Sequence, residues 1–221
     1  MIEISEKDYC LLQEYKVMKK LDEYALEFWH NLVEESFHHE LRLVRLPIRF
    51  QACSLEEYRR ENQGNACPKR IESTGKEITV VLVKFCVDNE IEEAYQVIRH
   101  ELLHFSLGLL NLEQDDYAAV FKILCEHYDG FFYRSLNKYQ SYIYEKGKII
   151  VEELYDYIDK LDDIVAKNTL CDVLKLLGKT QMDSFEEIDG ILEKVDDKMI
   201  ELRDYVKICL LYTSDAADDK A

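Results

Sequence analysis

Two histidines four residues apart, His100 and His104, lie in a stretch whose apolar residues recur with the period of an α-helix. Four residues make slightly more than one helical turn, so both imidazoles project from one helix face, about 6 Å apart. One nitrogen from each ring can then bind the same Zn²⁺ at about 2.0–2.1 Å. This spacing constrains the fold strongly, because it requires a helix over residues 90–110 and a further segment that completes the site.

Glu101 follows the first histidine and completes the pattern HExxH, here His100-Glu101-Leu102-Leu103-His104. A carboxylate at this position lies on the rim of the histidine face. There it can act as general base on the attacking water and then pass the proton to the leaving amine. The β-branched run of residues 78–83 predicts a strand before this helix, which is the order that a zinc peptidase needs. We therefore predict Glu101 as the catalytic residue.

An open catalytic zinc site needs a third protein ligand, and the sequence leaves several candidates. Asp115 and Asp116 follow His104 at the predicted start of the next helix, about 116–128, where either could also be an ordinary helix cap. Glu126 and His127 lie towards the end of that helix. The residues alone do not decide among these candidates.

Composition and charge limit the other functions of the chain. Its 221 residues, 48% of them hydrophobic, are enough to bury the core of about one domain. The 45 acidic and 28 basic residues give a formal net charge of −17, which makes nucleic acid an improbable partner. No apolar stretch is long enough to cross a membrane. The seven scattered cysteines, without a CxxC pair or a secretory signal, favour a reducing cytoplasmic location.

Hydrophobic periodicity predicts an α+β fold with most helices in the second half. Residues 41–50 predict an edge strand, and residues 67–72 are expected to pair with residues 78–83 across a turn at residues 73–76. The predicted helices cover residues 6–37, 90–110, 116–128, 134–165, 168–178 and 184–207, with a short helix after the capping box Ser54–Glu57.

We divide the chain into a metal-binding domain (1–130), a helical extension (131–208) and a tail (209–221). The tail breaks the helical pattern and is similar to the translation of a sequencing adapter, so it is excluded from the fold prediction.

These segments together resemble the SprT-like metallopeptidase family, which includes the Spartan proteases. The resemblance covers roughly residues 20–130, and only HExxH is specific within it. The supporting features are Leu46-Pro47-Ile48-Arg49-Phe50, the strand 78–83, Gln96-Val97-Ile98-Arg99 running directly into His100, Phe105 after the motif, and the pair Phe121-Lys122.

The resemblance implies a minimal zincin-like domain, with a leading helix, a small sheet, an HExxH helix and a ligand helix, before the helical extension. It also implies a zinc-dependent endopeptidase that acts on a protein or peptide. His100 and His104 would be zinc ligands and Glu101 the base.

The family's usual third ligand is a histidine before a glycine, and this chain departs from that pattern. It has Asp115-Asp116-Tyr117-Ala118 in this segment, with Tyr117 at the expected histidine position. Since a carboxylate can bind zinc, we favour Asp116, then Asp115, then His127 as third ligand.

Three other interpretations remain open at this stage. One is a nucleic-acid-associated protease, for which scattered basic residues near the predicted strands, such as Arg45 and Arg49, could form a local patch. The regulatory peptidases of the ImmA/IrrE type are a weaker match, because the gap after His104 is short. Alternatively, the chain is a non-catalytic helical interaction protein with a vestigial or structural zinc site. In that case the helices over residues 134–208, which are rich in Tyr and acidic residues, would bind the partner.

Overall fold

The computed structural model describes residues 6–35, 41, 44–60, 64–70, 77–178, 182 and 184–218. The described chain is mostly helical with one small sheet, which agrees with the predicted α+β class. Its elements are α1 (Glu6–Glu35), β1 (Ile48–Ala52), α2 (Leu55–Arg60), β2 (Gly64–Arg70), β3 (Glu77–Phe85), α3 (Ile91–Leu109), α4 (Ala119–His127), α5 (Lys138–Leu161), α6 (Ile164–Leu177) and α7 (Phe185–Asp218). The turn expected at residues 73–76 lies outside the described ranges.

The sheet has the order β1-β3-β2, with β1 parallel and β2 antiparallel to the central strand β3. The predicted β-branched strand forms its centre, where Val81 and Val83 are fully buried. Pro47 immediately precedes the edge strand β1, where its missing N–H removes no ladder bond. Its carbonyl accepts a hydrogen bond from the Val81 N–H at 3.0 Å. The strand predicted over residues 41–50 is β1, which begins only after Pro47 and covers Ile48–Ala52. The predicted pairing of residues 67–72 with residues 78–83 is confirmed as the antiparallel pairing of β2 with β3.

One hydrophobic core joins α1, the sheet and helices α3 to α7. On α1 it includes Leu21 and Trp29, and the Trp29 ring packs 5.4 Å from Phe105 on α3. On the other side it includes Leu154 of α5 and Leu174 of α6. The core is therefore continuous across residue 130, which we had taken as a domain boundary.

The helix boundaries in the second half of the chain differ from those predicted by hydrophobic periodicity, because hydrogen bonds to capping side chains set them. Residues 131–137 are not helical, and α5 begins where the Asn137 side chain accepts the N–H groups of Tyr139 and Gln140, both at 2.9 Å. The chain then breaks at Asp162, in the left-handed region with φ 44°, and Asp163 caps α6. The predicted break near residue 168 is wrong, since α6 runs through it.

Two further results concern the C-terminal part of the chain. Helix α7 continues to Asp218, beyond residue 208, where we had expected the native helical pattern to end. Among the described residues, no helix combines the length and the apolar character needed to span a bilayer.

Candidate metal centre

The HExxH residues lie in the middle of α3, which packs against both β3 and α1. Apolar residues around the motif, such as Ile98, Leu102 and Leu103, have no exposed surface and fix the rotation of the helix. That rotation leaves His100 only 7% and Glu101 only 5% exposed. The polar side chains of the motif are therefore largely buried, with apolar residues before, between and after them on the helix. The helix follows a strand, as the sequence predicts.

Three ligand-type atoms converge at this position. The Nε2 atoms of His100 and His104 are 3.1 Å apart, and Asp116 Oδ1 lies 2.9 Å from His104 Nε2 and 3.5 Å from His100 Nε2. Ligands at about 2.0–2.1 Å from a tetrahedral zinc are separated by about 3.3 Å, which the three observed distances bracket. His100, His104 and Asp116 form the one metal-binding group of this kind among the described residues, and they could hold a metal ion.

A hydrogen bond at Nδ1, on the side away from the other ligand atoms, fixes the orientation of the His100 ring. Its Nδ1–H donates to the main-chain carbonyl of Phe131 at 2.6 Å, which leaves the Nε2 lone pair directed at His104 and Asp116. Burial, with a smaller effect of the neighbouring His104, lowers the pKa of His100 to about 4. The imidazole is therefore neutral at neutral pH, which is the state that binds a metal.

Asp116 lies in the connection between α3 and α4. Its hydrogen bond with His104 lowers the pKa of the Asp116 carboxyl below its usual range, so the group is anionic at neutral pH. We had expected either Asp115 or Asp116 to cap the following helix, and that expectation is wrong. Helix α4 begins after Ala118, and Asp115 instead accepts the N–H of Tyr117 within the preceding turn. Asp116 is therefore available to the two histidines.

The other candidate ligands lie elsewhere. The His127 ring stacks on Tyr155 at 3.7 Å, and burial lowers its pKa. Glu126 is paired with Lys148 at 2.8 Å. Neither residue belongs to the group formed by His100, His104 and Asp116.

Two buried side chains on α4 contact the histidine rings. Phe121 stacks on His104 with ring centroids 4.0 Å apart and lies edge-on to His100 at 5.0 Å. Cys125 places Sγ 4.0 Å from His100 Nδ1, behind the ring, so it does not face the convergent ligand atoms. Burial raises the pKa of its thiol. These residues hold the rings in place.

The centre has an exposed aromatic border. Tyr117, which follows Asp116, is 52% exposed, and Tyr133, two residues after Phe131, is 51% exposed. The exposed Arg134 guanidinium lies 4.4 Å from the Tyr133 ring and 5.4 Å from the Tyr117 ring, and its charge contributes to the lowered pKa of Asp116. This side of the centre therefore presents aromatic surface and the positive charge of Arg134.

Helix α5 caps the N-terminus of α4, the helix that follows Asp116. The first N–H of α4, on Ala119, donates to the side-chain oxygen of Gln140 at 2.7 Å, and both groups are buried. No local side chain caps α4. A residue from the predicted extension therefore satisfies a buried donor three residues from Asp116.

Replacing Gln140 with Leu is expected to lower the free energy of unfolding by about 1–3 kcal/mol, because the Ala119 N–H would be left buried without an acceptor. Denaturant titration measures this loss. Gln140→Glu, which keeps an oxygen acceptor at the positive end of α4, should lose less. If Leu and Gln give equal stability, Gln140 does not cap the helix.

Comparisons of this chain with models of protein families, with curated proteins and with solved structures find no match. Membership of the SprT-like family therefore stays a prediction. The fit to zinc is judged from the donor set, which consists of two neutral imidazole nitrogens and one carboxylate oxygen. That set is one of those found in open catalytic zinc sites, so these residues fit zinc.

Proposed function

We propose that this chain is a zinc-dependent endopeptidase whose metal ligands are His100, His104 and Asp116 and whose general base is Glu101. The observation that carries the proposal is the convergence of three ligand atoms at separations of 2.9–3.5 Å, beside a buried glutamate on the same helix. Three protein ligands are the number that leaves a coordination position for the reaction.

In this proposal the metal, the general base and the residues that contact the histidine rings have separate roles. Zinc, when bound, supplies a Lewis acid that polarises a carbonyl and lowers the pKa of water. Glu101 accepts the proton of the attacking water and returns it to the leaving nitrogen. Phe131 and Phe121 keep the histidine rings oriented, so the ligands need little rearrangement.

The substrate that this proposal implies is a protein or peptide in extended conformation. Among the described strands, β1 and β2 are the two edge strands of the sheet, each paired with β3 alone. An extended peptide could add to one of these edges through main-chain hydrogen bonds.

The direct test is to measure zinc after purification and to follow cleavage of an unstructured protein substrate such as casein. We expect about one zinc per chain, and cleavage that a chelator abolishes and added zinc restores. A chain that binds no zinc would contradict the proposal. Zinc binding without cleavage of any member of a broad peptide library would contradict the enzymatic role and favour the non-catalytic interaction protein.

A further inference from the structure

Arg99, immediately before the first histidine, is buried and fully engaged by hydrogen bonds. Its Nε–H donates to the main-chain carbonyl of Asp129 at 2.8 Å, and its Nη2 group to the Asp129 carboxylate at 3.0 Å. The same Nη2 group pairs with Glu92 at 2.7 Å, and Nη1 donates to the Tyr24 hydroxyl. The arginine side chain is only 11% exposed. Arg99 therefore joins α1, the first turn of α3 and the segment after α4 through four polar contacts.

The segment that Arg99 binds also carries the acceptor of the His100 ring. Asp129 is in the left-handed region with φ 53°, and two residues later the Phe131 carbonyl accepts the His100 Nδ1–H. Gly130 lies between them, and its N–H donates to the Cys125 carbonyl at 2.7 Å. The Phe131 N–H donates in turn to the Gln96 carbonyl of α3 at 3.3 Å. Residues 129–131 are therefore held against α3 and α4 by these two main-chain bonds, with the Arg99 guanidinium at one end and the His100 ring at the other.

The fork geometry explains why arginine is needed here. One guanidinium group donates in parallel to the carbonyl and the carboxylate of the same residue, Asp129. This fixes the direction of the main chain that leads to Phe131. A lysine ammonium is a single point donor and cannot make both bonds in this geometry. Loss of the fork would leave residues 129–131 with weaker main-chain contacts and a less defined carbonyl position.

We propose that Arg99 is a positioning residue of the metal centre, which acts through Asp129 and Phe131 to hold His100 as the Nδ1–H tautomer with Nε2 free for the metal. Partners behind metal-binding histidines commonly fix the tautomer in this way, and their loss lowers metal affinity 10- to 100-fold. The role in zinc affinity rests on the proposed function. The role in the tautomer does not, because it depends only on the hydrogen bond from His100 Nδ1 to the Phe131 carbonyl.

The tautomer can be measured on the metal-free protein by ¹⁵N-detected NMR of the imidazole rings. We expect His100 of the wild type to show a protonated Nδ1 and an unprotonated Nε2 with slow exchange of its proton. In Arg99→Lys we expect a mixture of tautomers with fast proton exchange, and a 10- to 100-fold lower zinc affinity in a chelator competition. Tyr24→Phe is the matched control, because it removes one Arg99 contact but leaves both bonds to Asp129, and its tautomer should be unchanged.

A pure Nδ1–H tautomer in a folded Arg99→Lys variant would overturn the proposal, as would an equal shift in Tyr24→Phe. If Arg99→Lys does not fold, the Asp129→Asn variant tests the proposal instead. Asparagine tolerates the left-handed backbone at this position, and the change weakens only the bond from Arg99 Nη2 to the side chain of residue 129. We expect a smaller shift in the same direction, and an unchanged tautomer would overturn the proposal. Failure of the wild type to bind zinc would refute the proposed function, and the tautomer measurement would still test Arg99.

Discussion

A Glu101→Gln variant is expected to retain zinc at the wild-type stoichiometry and to cleave peptides about 10²- to 10⁴-fold more slowly, the usual contribution of a general base. The physical reason is that the amide has nearly the same size as the carboxylate but cannot accept the proton of the attacking water. Glu101 is not one of the three convergent ligand residues, so the metal should stay bound. Turnover under saturating substrate, with zinc content measured on the same sample, provides the test.

Glu93→Gln is the matched control for this experiment. Glu93 is an exposed residue near the start of the same helix, and its side chain accepts a hydrogen bond from Asn89. The same chemical change at this distance from the histidines should leave turnover at the wild-type level. Undiminished cleavage by Glu101→Gln would remove Glu101 from the mechanism, and loss of zinc in that variant would make it a metal ligand instead.

Asp116→Asn is expected to lower zinc affinity by about 100-fold or more, whereas Asp115→Asn should leave it unchanged. The loss of a ligand should exceed the 10- to 100-fold loss that follows removal of a partner behind a ligand. The two aspartates are neighbours in sequence but differ in role, because Asp116 Oδ1 faces the histidines and Asp115 Oδ1 accepts the Tyr117 N–H. An asparagine oxygen can accept that N–H equally well. Zinc titration against a competing chelator measures both variants.

His104→Ala should give the largest loss of zinc affinity in this comparison, since it removes a ligand that the HExxH spacing already indicates. His127→Phe tests the alternative third ligand and keeps a ring to stack on Tyr155. We expect no zinc retention in the first and wild-type affinity in the second. Wild-type affinity in Asp116→Asn, with loss in Asp115→Asn or His127→Phe, would transfer the ligand role to that residue.

The parts of the centre that the sequence predicts are those encoded by spacing along one element. His100 and His104 lie on one helix face because four residues separate them, whatever the rest of the fold does. Asp116 was a candidate because it opens the segment after the motif helix. The same reasoning failed on its local structure, because an aspartate before a helix is usually a cap, and here α5 supplies the cap through Gln140.

The parts that the sequence could not predict depend on groups without a side-chain signature. The acceptor behind His100 is a main-chain carbonyl, and any residue at position 131 would provide one. Arg99 precedes the motif directly, but on a helix it could equally have been a solvated residue. The break between α5 and α6 was predicted near residue 168 instead of at Asp162 for a related reason. Asp162 ends α5 and Asp163 caps α6, although the spacing of the apolar residues continues without interruption through both.

The Phe131 carbonyl contacts His100, and the Gln140 side chain caps α4, so residues beyond 130 support the centre on two sides. If the proposed zinc site is occupied, metal binding and the docking of α5 on α4 would be thermodynamically linked, because each favours the same arrangement of α3 and α4. A chain in which α5 has not yet packed should bind zinc weakly. The chain would thus acquire a competent centre only at a late stage of folding, and zinc would in turn protect the α4–α5 contact against local unfolding.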